Sequence, residues 1–138
     1  MKIEIIKYSE LEVSELIKKS AYDNDAGIDI KLIENITIEP HSTLTIGCGF
    51  GIKLPAGVMA QMLVRSSMSQ KGIVIGNAPI DASYTGEIHL MITNTSDETL
   101  SFEKGDRVAQ MVILSIITFD LVEKLNVRGS NGLGSSGK

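Results

Sequence analysis

An all-β domain of many short strands, a jelly-roll or β-clip type barrel, is the fold this sequence predicts, and three observations predict it. Apolar residues alternate with polar ones at Ile3/Ile5, Ile28/Ile30/Leu32, Ile36/Ile38, Leu44/Ile46, Phe50/Ile52/Leu54 and Ile88/Leu90/Ile92, the period of a half-buried strand. Turn residues bound these stretches at Glu39-Pro40, Pro55-Ala56-Gly57, Asn94-Thr95-Ser96-Asp97 and Lys104-Gly105-Asp106. Helical spacing is confined to two places, Ser9 to Lys19 with Leu11, Leu16 and Ile17, and a single turn from Ser66 to Gln70.

Along the chain, Ile3 and Ile5 open the first strand, and Lys2, Glu4 and Lys7 around them break any signal-peptide core. The helical candidate from Ser9 follows, and then the strands at 28–32, 36–38 and 44–46. The run Gly47-Cys48-Gly49-Phe50-Gly51 lacks the Gly-Lys-Ser/Thr of a phosphate-binding P-loop. It interrupts the alternation instead, and reads as a bulge or a close approach of backbone. Val108-Ala109-Gln110-Met111-Val112-Ile113-Leu114-Ser115-Ile116-Ile117 is nearly apolar on both faces. Burial by a partner subunit and burial inside one large sandwich both fit that pattern. From Arg128 the composition turns to glycine and serine, so residues 1–127 read as the domain and 128–138 as a C-terminal tail. Such a tail is a flexible end, or a segment whose amides and hydroxyls order only around an anion.

The chain has 138 residues, enough for one domain, and a net charge of −4. No basic field exists to draw a nucleic-acid backbone, so any phosphate ligand is met locally by a few placed arginines. Cys48 is the only cysteine, which leaves no intrachain disulfide and no cysteine-based metal cluster. His41 and His89 are isolated. With no apolar stretch of spanning length, the expectation is a soluble, intracellular protein with neither a nucleic-acid nor a membrane partner.

Five short words carry the chemistry. Ala26-Gly27-Ile28-Asp29 places a carboxylate on a strand, where it serves equally as a plain outward-facing residue. Arg65-Ser66-Ser67, running to Lys71-Gly72, sets amides and hydroxyls at the start of a helical turn, where unsatisfied N–H groups favour anions or the serines act simply as caps. Ile80-Asp81-Ala82-Ser83-Tyr84-Thr85-Gly86-Glu87 brackets a carboxylate with apolar neighbours just before a turn. Such a group has the exposure and basicity to take a proton from water, though an aspartate also commonly opens a turn. Gly105-Asp106-Arg107-Val108-Ala109-Gln110 is a second phosphate-type word, in which Asp106 and Arg107 read as a structural pair at the strand start. Arg128 with Gly134, Ser135 and Ser136 completes the set from the tail.

In order and spacing these five words resemble the motifs of the trimeric dUTPase family, and the resemblance covers nearly the whole chain. It implies a dUTP diphosphatase that yields dUMP and pyrophosphate, with Asp81 activating the attacking water. Arg65, Ser66, Ser67 and Gln110 would then contact the triphosphate, Ser66 beside the bridging oxygen that leaves. A hairpin beginning near Gly76-Asn77 would read uracil with backbone groups and Asn77, while Tyr84 packs on the sugar and rejects a ribose hydroxyl. Asp29 would meet Mg²⁺ through water, since that ion keeps waters and takes phosphate oxygens. Arg128, Leu133, Gly134, Ser135 and Ser136 would close over the nucleotide of a neighbouring subunit in a homotrimer whose sites are shared.

Two departures from the family stand out. The segment from Gly76 to Asp81 is shorter than in many relatives, and Leu133 occupies the place of a phenylalanine that lies over the base. Two alternatives share the scaffold. A dCTP deaminase would need a glutamate at the position of Met91, and a silent nucleotide-binding regulator would be marked by loss of Asp81 or Arg128, both of which are present.

Overall fold

The computed structural model describes residues 1–20 and 22–126. Its longest strand, β11 (Arg107–Ser115), explains the arrangement of the rest. It lies antiparallel between β3 (Gly27–Lys31) and β7 (Val58–Val64), and β2 (Ile17–Lys18) adds beyond β3 to give a four-stranded sheet. A second sheet orders β5 (Ser42–Gly47), β9 (His89–Asn94) and β8 (Ile73–Ile75). Two antiparallel pairs complete the architecture, β1 (Glu4–Lys7) with β6 (Phe50–Lys53) and β4 (Ile36–Ile38) with β10 (Leu100–Phe102). The all-β expectation therefore holds.

Alternation in the sequence becomes alternation of burial. Ile36 and Ile38 are buried with Thr37 out, and Leu90 and Ile92 are buried with Met91 out. The core is aliphatic around Phe50, with Ile30, Leu32, Ile52, Ile73 and Val108 essentially inaccessible. Replacing such a residue by alanine removes its transfer free energy and leaves a cavity, roughly 2–5 kcal/mol for leucine or isoleucine. Among the described residues one polar side chain is fully buried, and it is fully used. Asn94 donates to the carbonyls of Ile38 (3.0 Å) and Glu98 (2.7 Å) and accepts from the amide (3.0 Å) and hydroxyl (2.7 Å) of Ser96. It ties the end of β9 to β4, where an unpaired amide would be costly.

The helical reading is cut down. Of the stretch Ser9 to Lys19 only α1 (Val13–Leu16) is helical, closed by a capping box between Glu12 and Glu15, because Ile17 turns to extended backbone and pairs with Ile30 of β3. A β-branched residue beside an open strand edge finds a better partner in the sheet than as a fifth helical residue. The second turn survives as α2 (Ser66–Ser69), with Gln70 as its cap. No helix among the described residues is long and apolar enough to cross a membrane.

β11 resolves its own ambiguity by halves. Val108, Ala109 and Met111 are buried inside the chain, whereas Leu114 is 39% exposed and the residues beyond it open further, to 87% at Ile117. Burial within one sandwich therefore accounts only for the first half.

Candidate active site

β3, β11 and the exit of β7 bring three of the five words onto one face. Gln110 lies opposite Asp29 across the β3–β11 ladder, and Gly27 makes room for it, since a Cβ there would stand 2.5 Å from the Gln110 Oε1. Arg65 leaves the end of β7 as the N-cap of α2, and its Nε reaches an Asp29 carboxylate oxygen at 3.4 Å while its Nη1 donates to the Arg107 carbonyl at 2.8 Å. Arg107 Nη1 holds the other Asp29 oxygen at 2.9 Å. Asp29 thus spends its charge orienting two guanidiniums, and the rest of each planar fork stays available to an anion. Ser66 and Ser67 are exposed at the start of α2, beside Arg65.

The expected pairing of Asp106 with Arg107 is not what forms. Asp106 instead accepts the Glu103 amide at 2.9 Å and closes the turn before β11, while Arg107 goes to Asp29. Strict alternation would put residues 107 and 110 on opposite faces, but the register slips between Arg107 and Ala109, so that Arg107 opposes Lys31 and Gln110 opposes Asp29 on one face. This bulge is the reason Arg107 escapes a reading by period two.

A cleft of about 320 Å³ lies elsewhere, lined among others by Asn77, Ile80, Asp81, Tyr84, Glu87 and Met91. Buried Ile80 exchanges both backbone hydrogen bonds with Ala60 of β7, at 2.9 and 3.0 Å, which fixes the exposed Asp81 at the mouth. The Asp81 carbonyl also accepts the Tyr84 amide at 3.0 Å, so the aspartate opens a turn while its side chain stays exposed. Tyr84 donates its hydroxyl to the Glu87 carbonyl at 2.5 Å and stands over Gly86, leaving its ring half-exposed in the cleft. Asn77 is engaged at both ends by β9, donating to His89 O at 2.6 Å and accepting the Met91 amide at 2.9 Å. Only its second N–H and a remaining lone pair are left for a base. Glu87, unremarked in the sequence, accepts the Gly49 amide at 2.9 Å from the floor of the cleft. The signal for it is the glycine run 47–51, which foretells a close neighbour without naming one.

Cys48 lies under this region and is 2% exposed. Burial, and then the Glu87 carboxylate, push its thiol from an ordinary 9.0 up to about 12, so it is a neutral packing group. Among the described residues no cluster of three or more His, Cys, Asp or Glu side chains could hold a metal. Both Asp29 oxygens already face arginines, so this carboxylate would meet a cation only through water, a mode that Mg²⁺ accepts because it keeps its waters. Arg128, Leu133, Gly134, Ser135 and Ser136 lie outside the described residues.

An all-β scaffold that gathers two oriented guanidiniums and two serine hydroxyls, and holds an exposed carboxylate in a separate cleft, defines a protein that handles phosphate esters. Residues 14–137 match the family described as dUTPase. The chain belongs to the dUTPase family. A deoxyuridine 5'-triphosphate nucleotidohydrolase of Picosynechococcus sp. is 34% identical over 139 residues, spanning 96% of this chain and 98% of that protein. The one from Clostridium novyi is 36% identical over 144 residues and spans 99% of each. Among solved structures, a mutant Staphylococcus bacteriophage 80alpha dUTPase with dUpNHpp superposes with a TM-score of 0.78 at 26% identity, covering 99% of both chains. A mutant dUTPase from phage phi11 of S. aureus, described for its coordination of a structural Mg(II) ion, shares the fold with a TM-score of 0.80 at 24% identity, over 93% of this chain and 99% of that one.

Proposed function

We propose that this chain is a dUTP diphosphatase that works as a homotrimer with shared sites. The observation that carries the reading is the convergence of Asp29, Arg65, Arg107 and Gln110, drawn from three distant words, into one anion-binding face beside Ser66 and Ser67. Asp81 takes a proton from water, the water oxygen bonds to the α-phosphorus, and the bond to the bridging oxygen breaks to release pyrophosphate. Charge growing on that oxygen is met by Arg65, already oriented by Asp29 and the Arg107 carbonyl, and by the Ser66 hydroxyl. Asp29 would hold Mg²⁺ through water, and the ion would supply neutralisation of phosphate charge. Uridine sits against Tyr84 with Asn77 nearby, and Arg128, Leu133, Gly134, Ser135 and Ser136 close over it as a tail following the 1–127 domain.

Shared sites are supported by the separation of the two halves. Ile80 is bridged to Ala60, five residues before Arg65 on the same run of chain, which is about 17 Å at strand rise. That spacing favours a phosphorus met by Asp81 of one chain and Arg65 of another. A second chain is further supported by the unburied apolar residues Ile117, Phe119, Leu121, Val122 and Leu125, each at least 74% exposed. Deaminase chemistry is not favoured, since Met91 stands in this cleft where a proton-shuttling glutamate is required.

The test is pyrophosphate release from dUTP, dTTP, dCTP and UTP, with Mg²⁺ and with chelator, alongside ammonia release from dCTP. Selective turnover of dUTP that chelation suppresses is the expected result. Equal turnover of all four, or ammonia from dCTP, overturns it.

A further inference from the structure

The glycine run 47–51 lines neither cleft, yet it is where the cleft's turn rests. A Cβ on Gly51 would run into the Gly86 carbonyl and stand 3.0 Å from both the Thr85 carbonyl and the Tyr8 ring. Glycine is required there because three groups from distant parts of the chain meet on it. The return strand is held by a short ladder, with the Ile88 amide donating to Phe50 O at 2.9 Å and the Cys48 amide to Ile88 O at 2.8 Å. Glu87 adds its bond to Gly49, and there the ladder stops. Tyr8 reaches two residues further and donates its hydroxyl to the Thr85 carbonyl at 2.6 Å, across 77 residues of sequence.

We infer that Tyr8 is a positioning residue for the proposed reaction, holding the 81–87 turn against the glycine run so that Tyr84 and Asp81 face the nucleotide. The inference rests on the proposed dUTP diphosphatase reading for its consequence, though not for its geometry. Tyr8 is 48% exposed, so filling the core does not explain an aromatic here. Its backbone is itself fixed, the amide donating to Gly49 O at 2.9 Å, and the neighbouring Ser9 hydroxyl donates to the same carbonyl at 3.2 Å. The hydroxyl therefore joins a fixed strand to the tip of a turn. Thr85 is bonded directly to Tyr84, and the Tyr84 amide hydrogen-bonds to Asp81, so the hold passes to both residues within one turn. Arg65 at the N-cap of α2, Ser66 on α2 and Gln110 on β11 do not depend on it.

The test is Tyr8→Phe in the full chain, which keeps the ring on Gly51 and removes only the hydroxyl. In nucleotide-free protein, exchange of the hydrogen-bonded Tyr84 and Ile88 amides at the two ends of the turn should quicken by about 2- to 12-fold, the worth of one neutral hydrogen bond. With nucleotide, kcat/KM for dUTP should fall by a similar factor and the preference for dUTP over UTP should narrow. Inhibition by pyrophosphate should not change. Exchange and dUTP/UTP preference identical to the unsubstituted chain overturn the inference, and so does an equal weakening of pyrophosphate inhibition, which would mean a general loosening. If the unsubstituted chain does not hydrolyse dUTP, the functional reading fails, while quickened exchange confined to the Tyr84 and Ile88 amides still supports the positioning role.

Discussion

Asp81 is the residue on which the proposed chemistry turns, and its surroundings argue for a base rather than a structural acid. It is exposed, and its backbone is pinned by the Ile80–Ala60 bridge. Asp81→Asn keeps that shape and removes the proton acceptor, so the variant should fold, bind nucleotide and lose about 100- to 10,000-fold in turnover. Turnover at the rate of the unsubstituted chain would reject the mechanism. Cys48 makes the opposite kind of prediction. With its thiol pushed up to about 12 from 9.0 by burial, it should resist iodoacetamide at pH 8 in the folded chain and react promptly in denaturant. The folded state holds the proton that the unfolded chain gives up, so this contribution to stability is complete below pH 9.0 and drains away as pH rises toward 12. A pH-independent midpoint of urea unfolding between pH 9 and 11 would contradict it.

At the scale of elements, β11 does two jobs with its two halves. Its first half carries Arg107 and Gln110 to Asp29 and buries Val108 and Ala109, and its second half leads into a segment of exposed apolar side chains. Each such side chain is worth roughly 1.5–3 kcal/mol if a partner buries it. Replacing both Ile117 and Leu121 with Lys should leave the far-UV circular dichroism unchanged, since neither packs on the chain's own core. The variant should sediment near 14.9 kDa instead of three times that mass, and lose activity with the trimer. A fully active trimer carrying both lysines would show that this segment faces water.

For the whole molecule the question is whether the tail belongs to the site. Truncation before Arg128 removes a Gly/Ser-rich segment whose sequence has no periodic apolar face, so a trimer of unchanged thermal stability is expected. If the tail closes over the phosphates, turnover should drop at least about tenfold, because a single charge-assisted hydrogen bond to the transition state is worth upwards of roughly 1.4 kcal/mol. Leu133→Phe should act in the other direction and tighten dUTP binding through a stacking face. Unchanged kinetics in the truncation would return residues 128–138 to the class of linkers.

The sequence by itself determined the strand-rich fold, because side chains alternate with a period of two wherever one face of a strand is buried, as at Ile36/Ile38 and Leu90/Ile92. It also named the words proposed to carry chemistry, since oriented guanidiniums and exposed carboxylates need particular residue types. Only the tertiary structure decided how those words meet. The slip between Arg107 and Ala109 turns Arg107 toward Asp29, and a bulge is set by pairing with β3, which no local pattern encodes. Ile17 leaves the helix because a strand edge lies open beside it. Tyr8 and Gly51 acquire meaning only when Thr85 and Gly86 arrive from more than 30 residues away. Local alternation is a property of one segment, whereas a hydrogen bond or a close approach between segments is a property of how they are brought together.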